Sequence, residues 1–170
     1  VLERDKFSIH GDIIPNIDVH LPYLLNFRKL SQKLIDLPFF SPVFFNYKTG
    51  NNDSLAFYIK DILGNIVGIN RVQTADNEFF NKKWFEKNSN NGIGFTFSLC
   101  TNNSEILSIF ETIFDAMSYQ ELFGEKSIQY MCSNGELGFK KSGLIKGYYS
   151  QNNFTKLYLG NDNDLAGVFF

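Results

Sequence analysis

Hydrophobic and polar positions change rhythm twice along this chain. From His20 to Leu37 the apolar residues Leu21, Leu24, Leu25, Leu30, Leu34 and Ile35 recur at three- and four-residue steps. Arg28, Lys29, Gln32 and Lys33 lie between them, so the segment has the spacing of an amphipathic helix. Pro22 suits a first helical turn. Ser31 is placed to cap a second short helix after a break near Leu30, and Pro38 and Pro42 close the segment. Residues 1–20, interrupted by Gly11 and Pro15, predict only an arm or a short leading element.

Strand patterns follow. Val43–Tyr47, Leu55–Lys60, Ile66–Val72, Phe79–Phe85 and Ile93–Leu99 are apolar or alternating runs separated by short polar links. The link Asp61-Ile62-Leu63-Gly64-Asn65 has hairpin chemistry. Short connections of this kind predict an antiparallel meander.

After Cys100 the rhythm changes again. Ile106–Phe110 is a short apolar run around Ser108, as for a strand covered on both faces. Thr112–Phe123 has an amphipathic helical pattern, and Ser127–Cys132 and Phe154–Leu159 read as further strands. Gly135–Ser150 is ambiguous, a short helix with breaks at Gly138, Gly143 and Gly147 being one reading. Leu165–Phe170 begins another helical pattern. Strand–helix–strand order with apolar strands predicts a parallel sheet. The expected fold is therefore α+β followed by α/β: a helix plus antiparallel meander over 1–103, then a parallel α/β unit over 104–170.

Charge narrows the function classes. Sixteen basic and 18 acidic residues give a net charge of −2, which is not the footprint of a stand-alone nucleic-acid binder, although a local basic groove is compatible with it. No apolar run approaches the ~20 residues of a membrane span, and no partition into a membrane is expected. Cys100 and Cys132 are too few and too separated for a zinc site, and His10 and His20 are not spaced with them as ligands. Two thiols without a secretion signal fit a reducing cytoplasm. The chain opens on Val1 without an initiating Met, as expected of a piece of something longer with further domains.

Candidate chemistry falls where a parallel sheet places it, at the carboxyl ends of strands. Glu111 follows the strand 106–110, and Asp115 lies four residues on, in the next helix's first turn. Asp162 and Asp164 follow the strand 154–159 and, two apart on extended backbone, project to one side. Carboxylates gathered there repel one another unless a cation sits between them, and hard oxygen ligands favour Mg²⁺ or Mn²⁺. An Asp-x-Asp is common by chance. Its conjunction with a carboxylate at the end of an earlier parallel strand is the stronger signal.

The stretch Ile106–Gly167 resembles the Toprim domain of topoisomerases, primases and related nucleases. Leu107-Ser108-Ile109-Phe110-Glu111-Thr112-Ile113-Phe114-Asp115-Ala116 matches its apolar strand ending in Glu and its helix opening with Asp. Asp162-Asn163-Asp164-Leu165-Ala166-Gly167 matches its Asp-x-Asp followed by Ala-Gly. The Glu-x-x-x-Asp-Ala-x-Ser-Tyr form looks most like the Toprim-like domains of primase or mobilisation proteins of plasmids and conjugative elements. Upstream, Tyr23-Leu24 with Arg28-Lys29-Leu30 is similar to the helix ahead of bacterial primase cores. Phe57–Arg71 is similar to the primase strand pair that ends in a basic residue, and Lys82-Lys83-Trp84 to the lysine-aromatic step that follows. The pattern departs from the family at Thr112, where Gly is frequent. The chain also stops at Phe170, before the helix and strand that complete such a domain.

The resemblance implies metal-dependent nucleotidyl transfer of the DNA-primase kind. Asp162 and Asp164 would hold Mg²⁺ or Mn²⁺, with Glu111 as ligand or general acid/base and Asp115 in support. Arg71, Lys82 and Lys83 would contact phosphates of single-stranded DNA or an incoming nucleotide. Two alternatives remain: a Toprim nuclease, which shares the acidic set, and a non-catalytic nucleic-acid-binding domain on the same scaffold.

Overall fold

The computed structural model describes residues 7–99, 104–124, 126–135 and 137–160. Two sheets organise them. The first has five strands in the order β1 (Asp12–Ile14), β2 (Phe44–Thr49), β3 (Asn52–Lys60), β4 (Ile66–Val72) and β5 (Lys83–Phe85), and every neighbour pair is antiparallel. The second runs β6 (Thr96–Phe97), β8 (Ile128–Cys132), β7 (Ile106–Phe110), β9 (Lys156–Gly160). Here β8, β7 and β9 are parallel and β6 is antiparallel.

The hairpin between β3 and β4 forms as its sequence predicts. The Asp61 carboxylate accepts the Leu63 and Asn65 N–H groups, and Gly64 supplies the left-handed residue at φ 87°. The leading helical segment breaks where its pattern does. A five-residue π-helical stretch covers Tyr23–Phe27, Lys29 turns left-handed at φ 58°, and Ser31 caps α1 (Gln32–Ile35) by accepting the Leu34 N–H.

Both faces of β7 and β8 are covered, while the β9 edge is exposed. Ile106, Phe110, Ile128, Tyr130 and Cys132 pack with Ile113, Phe114, Ala116 and Met117 of α2 (Ile113–Phe123). Leu107, Ile109 and Met131, alternating with them, pack with Leu137, Ile145 and Phe154 around α3 (Phe139–Gln151). That double burial explains why β7 and β8 are mostly apolar on both faces. The first core continues into Phe44, Leu55, Phe57 and Val72, so one face of the antiparallel sheet rests on the far side of α2.

Two expected strands are shortened. In Phe79–Phe85 only the last three residues pair, because the Asn77 side chain accepts the Phe79 N–H and Asn81 adopts φ 59°, folding 77–81 into turns. In Ile93–Leu99 only Thr96–Phe97 is a strand, and it pairs with β8 in the second sheet. Phe95 forms one bridge to Lys60 of β3. The crossing between sheets is tight: a Cβ at Gly94 would overlap Ile59. The ambiguous 135–150 segment is largely one helix. Gly138 forms its N-cap, Gly143 and Gly147 lie inside it, and burial of Ile145 anchors it.

Candidate functional site

β7 and β8 end side by side, Phe110 opposite Cys132, and deliver two loops to one end of the sheet. The Ser133 N–H donates to the Phe110 carbonyl (2.9 Å) and the Asn134 N–H to the Glu111 carbonyl (2.8 Å). Glu111 is therefore fixed beside Asn134 at the carboxyl end of the parallel strands. β9 lies on the other flank of β7, with its last residue Gly160 opposite Phe110. Asp162 and Asp164 lie outside the described residues. What the described residues fix is that β9 ends level with the residue before Glu111.

Asp115 sits exposed in the first turn of α2. Its carboxylate accepts from the Thr112 N–H (3.0 Å) and the Thr112 hydroxyl (2.6 Å), and the Thr112 Oγ1 accepts the Asp115 N–H in return (3.4 Å). This capping box satisfies two orphan donors of the helix. It also explains Thr112: a glycine there would have no hydroxyl to cap with. Among the described residues no three His, Cys, Asp or Glu side chains converge on one point. The Glu111 carboxylate is a hard oxygen donor of the kind Mg²⁺ takes; the other expected ligands lie outside the described residues.

A polar seam joins this end to the antiparallel sheet. The Asn134 Oδ1 accepts from the Thr96 hydroxyl (3.1 Å) and from the Asn70 amide (3.5 Å), and the Asn134 carbonyl accepts the Asn91 amide (3.2 Å). The Asn134 Nδ2 is buried with no acceptor. Sequence reading missed Asn70, Asn134 and Lys141. The only available signal was Ser133-Asn134-Gly135 directly after a predicted strand, where Asn134 and Gly135 take φ 57° and 120°. Lys141, in the first turn of α3, is 4% exposed. Its ammonium donates to the Ser133 carbonyl and the Asn91 Oδ1 and lies over the Phe95 ring. Burial lowers its pKa to about 8.

The structure separates the three predicted basic residues. Residues opposed across an antiparallel pair share a face, and successive residues alternate. Asn70 faces Phe85 and Val72 faces Lys83 in register, so Lys83 and Phe85 stand on the same face as Asn70. Arg71, paired with Trp84, stands on the opposite face. Its guanidinium lies between the Tyr47 and Trp84 rings, both centroids at 5.7 Å, and 3.4 Å from the Glu86 carboxylate. It borders an outer cleft of about 450 Å³ that includes Thr49, Gln73, Phe79 and Trp84. Lys82 lies in the turn before β5 with its ammonium 5.3 Å from the Phe79 centroid. Of the three, the geometry brings Lys83 to the Asn70 side and leaves Arg71 away from Glu111.

Arg28, part of the tyrosine-leucine helix motif, joins three elements. It donates to the Tyr23 hydroxyl and the Asn81 Oδ1 and lies 4.4 Å from the Phe114 centroid. Those residues therefore hold the leading segment against α2 and the turn before β5.

No family model matches the sequence, and no curated protein matches it. Solved structures do share its fold. One is a chain from the bacteriophage T7 complex of lagging-strand DNA polymerase interacting with primase domains bound to an RNA/DNA hybrid and dTTP. It matches at 17% identity and TM-score 0.58, over 85% of this chain and 68% of that one. A second is the primase fragment of the bacteriophage T7 primase-helicase protein, at 16% identity and TM-score 0.57, over 85% of this chain and 56% of that one. This chain thus spans 56–68% of their lengths, and the likeness is one of fold.

Proposed function

We propose that this chain carries a primase-like, metal-assisted nucleotidyl-transfer site at the carboxyl end of β7. The observation that carries the reading is the parallel β7–β9 pair ending at Phe110 and Gly160. It supports bringing Glu111 and the Asp162/Asp164 pair to one sheet end, facing the Asn70–Lys83 side of the antiparallel sheet. The likeness in fold to the T7 primase fragment supports it as well. Glu111, Asp162 and Asp164 would hold Mg²⁺ or Mn²⁺, which when bound neutralises phosphate charge during in-line displacement.

The chain's own groups have distinct tasks in this reading. Glu111, held through its backbone by Asn134, accepts or returns the proton of the attacking hydroxyl. Lys83 meets phosphate as a solvated point charge. Asp115, engaged by Thr112, positions α2 and so the strand end that presents Glu111. Single-stranded DNA and nucleotides are the partners, together with other domains of a longer protein.

The test is a melting series with Mg²⁺ or Mn²⁺ at millimolar concentration, with and without nucleoside triphosphate, in a protein extended past Phe170. Metal should stabilise slightly, and more with nucleotide, by mass action. Asp162→Asn with Asp164→Asn should abolish the response, and Glu111→Gln should weaken it. Template-dependent primer synthesis by the same protein separates polymerisation from cleavage. An undiminished metal response in the double variant would refute the assignment.

A further inference from the structure

The face that carries Asn70 and Lys83 also carries an aromatic ring that the fold does not use. Phe85 ends β5, the edge strand of its sheet, and is 44% exposed. Among the described residues no ring or cation stacks on it. Its neighbour in sequence, Trp84, points to the other face and stacks near Arg71. Phe85 is directly opposite Asn70, Asn70 donates to Asn134, and Asn134 donates to Glu111. A register pair and two hydrogen bonds thus link the strand position of the free ring to the backbone carbonyl of Glu111.

Two further observations bear on what covers the ring. Lys83 lies two residues back on the same face, about 6.6 Å along an extended strand, so an aromatic surface and a cation stand side by side. That is the pairing that single-stranded nucleic acids and nucleotides take, base on ring and phosphate on cation. The Asn134 Nδ2, on a residue 5% exposed, has no acceptor. The corner between Asn70 and Glu111 is thus short of an acceptor, which the oxygens of a nucleotide would provide.

The geometry points to Phe85 as the base-stacking platform of this cleft, taking a nucleobase whose phosphate lies toward Lys83 and Glu111. The inference rests on the proposed nucleotidyl-transfer reading and adds to it the residue that holds the nucleoside. The base arrives on a free nucleotide or on the template strand. Stacking accepts either, and it is tolerant of base identity because every base has a π-face.

The experiment measures binding of four ligands by the chain and its Phe85→Ala, Phe85→Leu and Phe85→Trp variants, at fixed salt and Mg²⁺. The ligands are a nucleoside triphosphate, inorganic triphosphate, an oligo-dT and an abasic oligonucleotide of the same length. Phe85→Ala and Phe85→Leu should weaken a base-bearing ligand roughly tenfold, leave its base-free counterpart unchanged, and be rescued by Phe85→Trp. Loss confined to the triphosphate assigns the platform to the incoming nucleotide. Loss confined to oligo-dT assigns it to the template. Unchanged binding of both base-bearing ligands, or equal loss of base-free ones, overturns the inference; a ring that served only to dock another protein would give the first result. Glu111→Gln provides the separate check: failure to alter Mg²⁺-dependent triphosphate binding would sink the catalytic reading while leaving the stacking result to stand.

Discussion

Gly160 lies opposite Phe110 across the parallel β9–β7 pair, and a Cβ at position 160 would overlap the Phe110 ring. Phe110 is buried against Tyr119 and Tyr130, so the ring has nowhere to retreat. Glycine at 160 is therefore what lets β9 close onto β7 next to Glu111. Gly160→Ala should cost about 1–3 kcal/mol, the range for overpacking, measured by chemical denaturation. The pairing of β9 should loosen selectively, seen as faster hydrogen exchange at residues 156–160.

Thr112 and Asp115 act as one unit. Thr112→Ala and Asp115→Ala should each cost about 1 kcal/mol as cap losses, and the double variant clearly less than the sum because each removes the same reciprocal bonds. Additive losses in a double-mutant cycle would mean that the two residues act independently.

Lys83 and Arg71 should separate by phenotype. Lys83→Ala should weaken single-stranded DNA binding, reduce the dependence of log K on log salt by about one phosphate contact, and leave stability nearly unchanged. Arg71→Ala strips the partner from the Glu86 carboxylate, which is buried at 9% exposure. It should destabilise the fold by about 3 kcal/mol, the cost of orphaning a buried charge. Denaturation curves and salt titrations of both variants are the check.

His20 is buried, its ring between the Thr74 hydroxyl at 2.6 Å and the Asn46 Oδ1 at 3.1 Å, and Asn46 donates on to Asp53. Burial lowers its pKa below 6.5, although the Asn46 bond and the Asp53 charge oppose the shift. The unfolded chain thus takes a proton before the folded one does. His20 stabilises fully above pH 6.5 and progressively less as pH falls through the folded value. Melting temperatures between pH 8 and pH 5 should fall more steeply for the parent than for His20→Gln.

Lys141 follows the same rule in another window. Its folded pKa of about 8 lies below the ordinary 10.5, so its cost to stability is greatest below pH 8 and fades as pH rises to 10.5. Relative to Lys141→Met, the parent should gain stability across that interval, by an amount on the order of 2–3 kcal/mol. A constant difference from pH 7 to pH 10.5 would mean that the ammonium is solvated.

The sequence by itself determined the elements whose local chemistry and burial pattern agree. The Asp61–Asn65 hairpin has its own side chain to close it, Ser31 has its own hydroxyl to cap α1, and Ile106–Phe110 is apolar at every position but Ser108 because helices cover both faces. The parallel alignment of β7 and β9 followed from the helix between apolar strands. Tertiary structure decided the rest. Thr96–Phe97 left the meander for β8 because Gly94 allows the chain to cross tightly against Ile59. Phe79–Asn81 turned because Asn77 and Asn81 outweighed the aromatic strand propensity around them. Composition marks Arg71 and Lys83 alike as basic residues near strands. Only strand register, which reverses a side chain's face with every residue, put Lys83 and Phe85 with Asn70 and turned Arg71 away. Asn134 was invisible for a related reason: its value lies in neighbours 38 and 64 residues distant, Thr96 and Asn70, which no local pattern brings together.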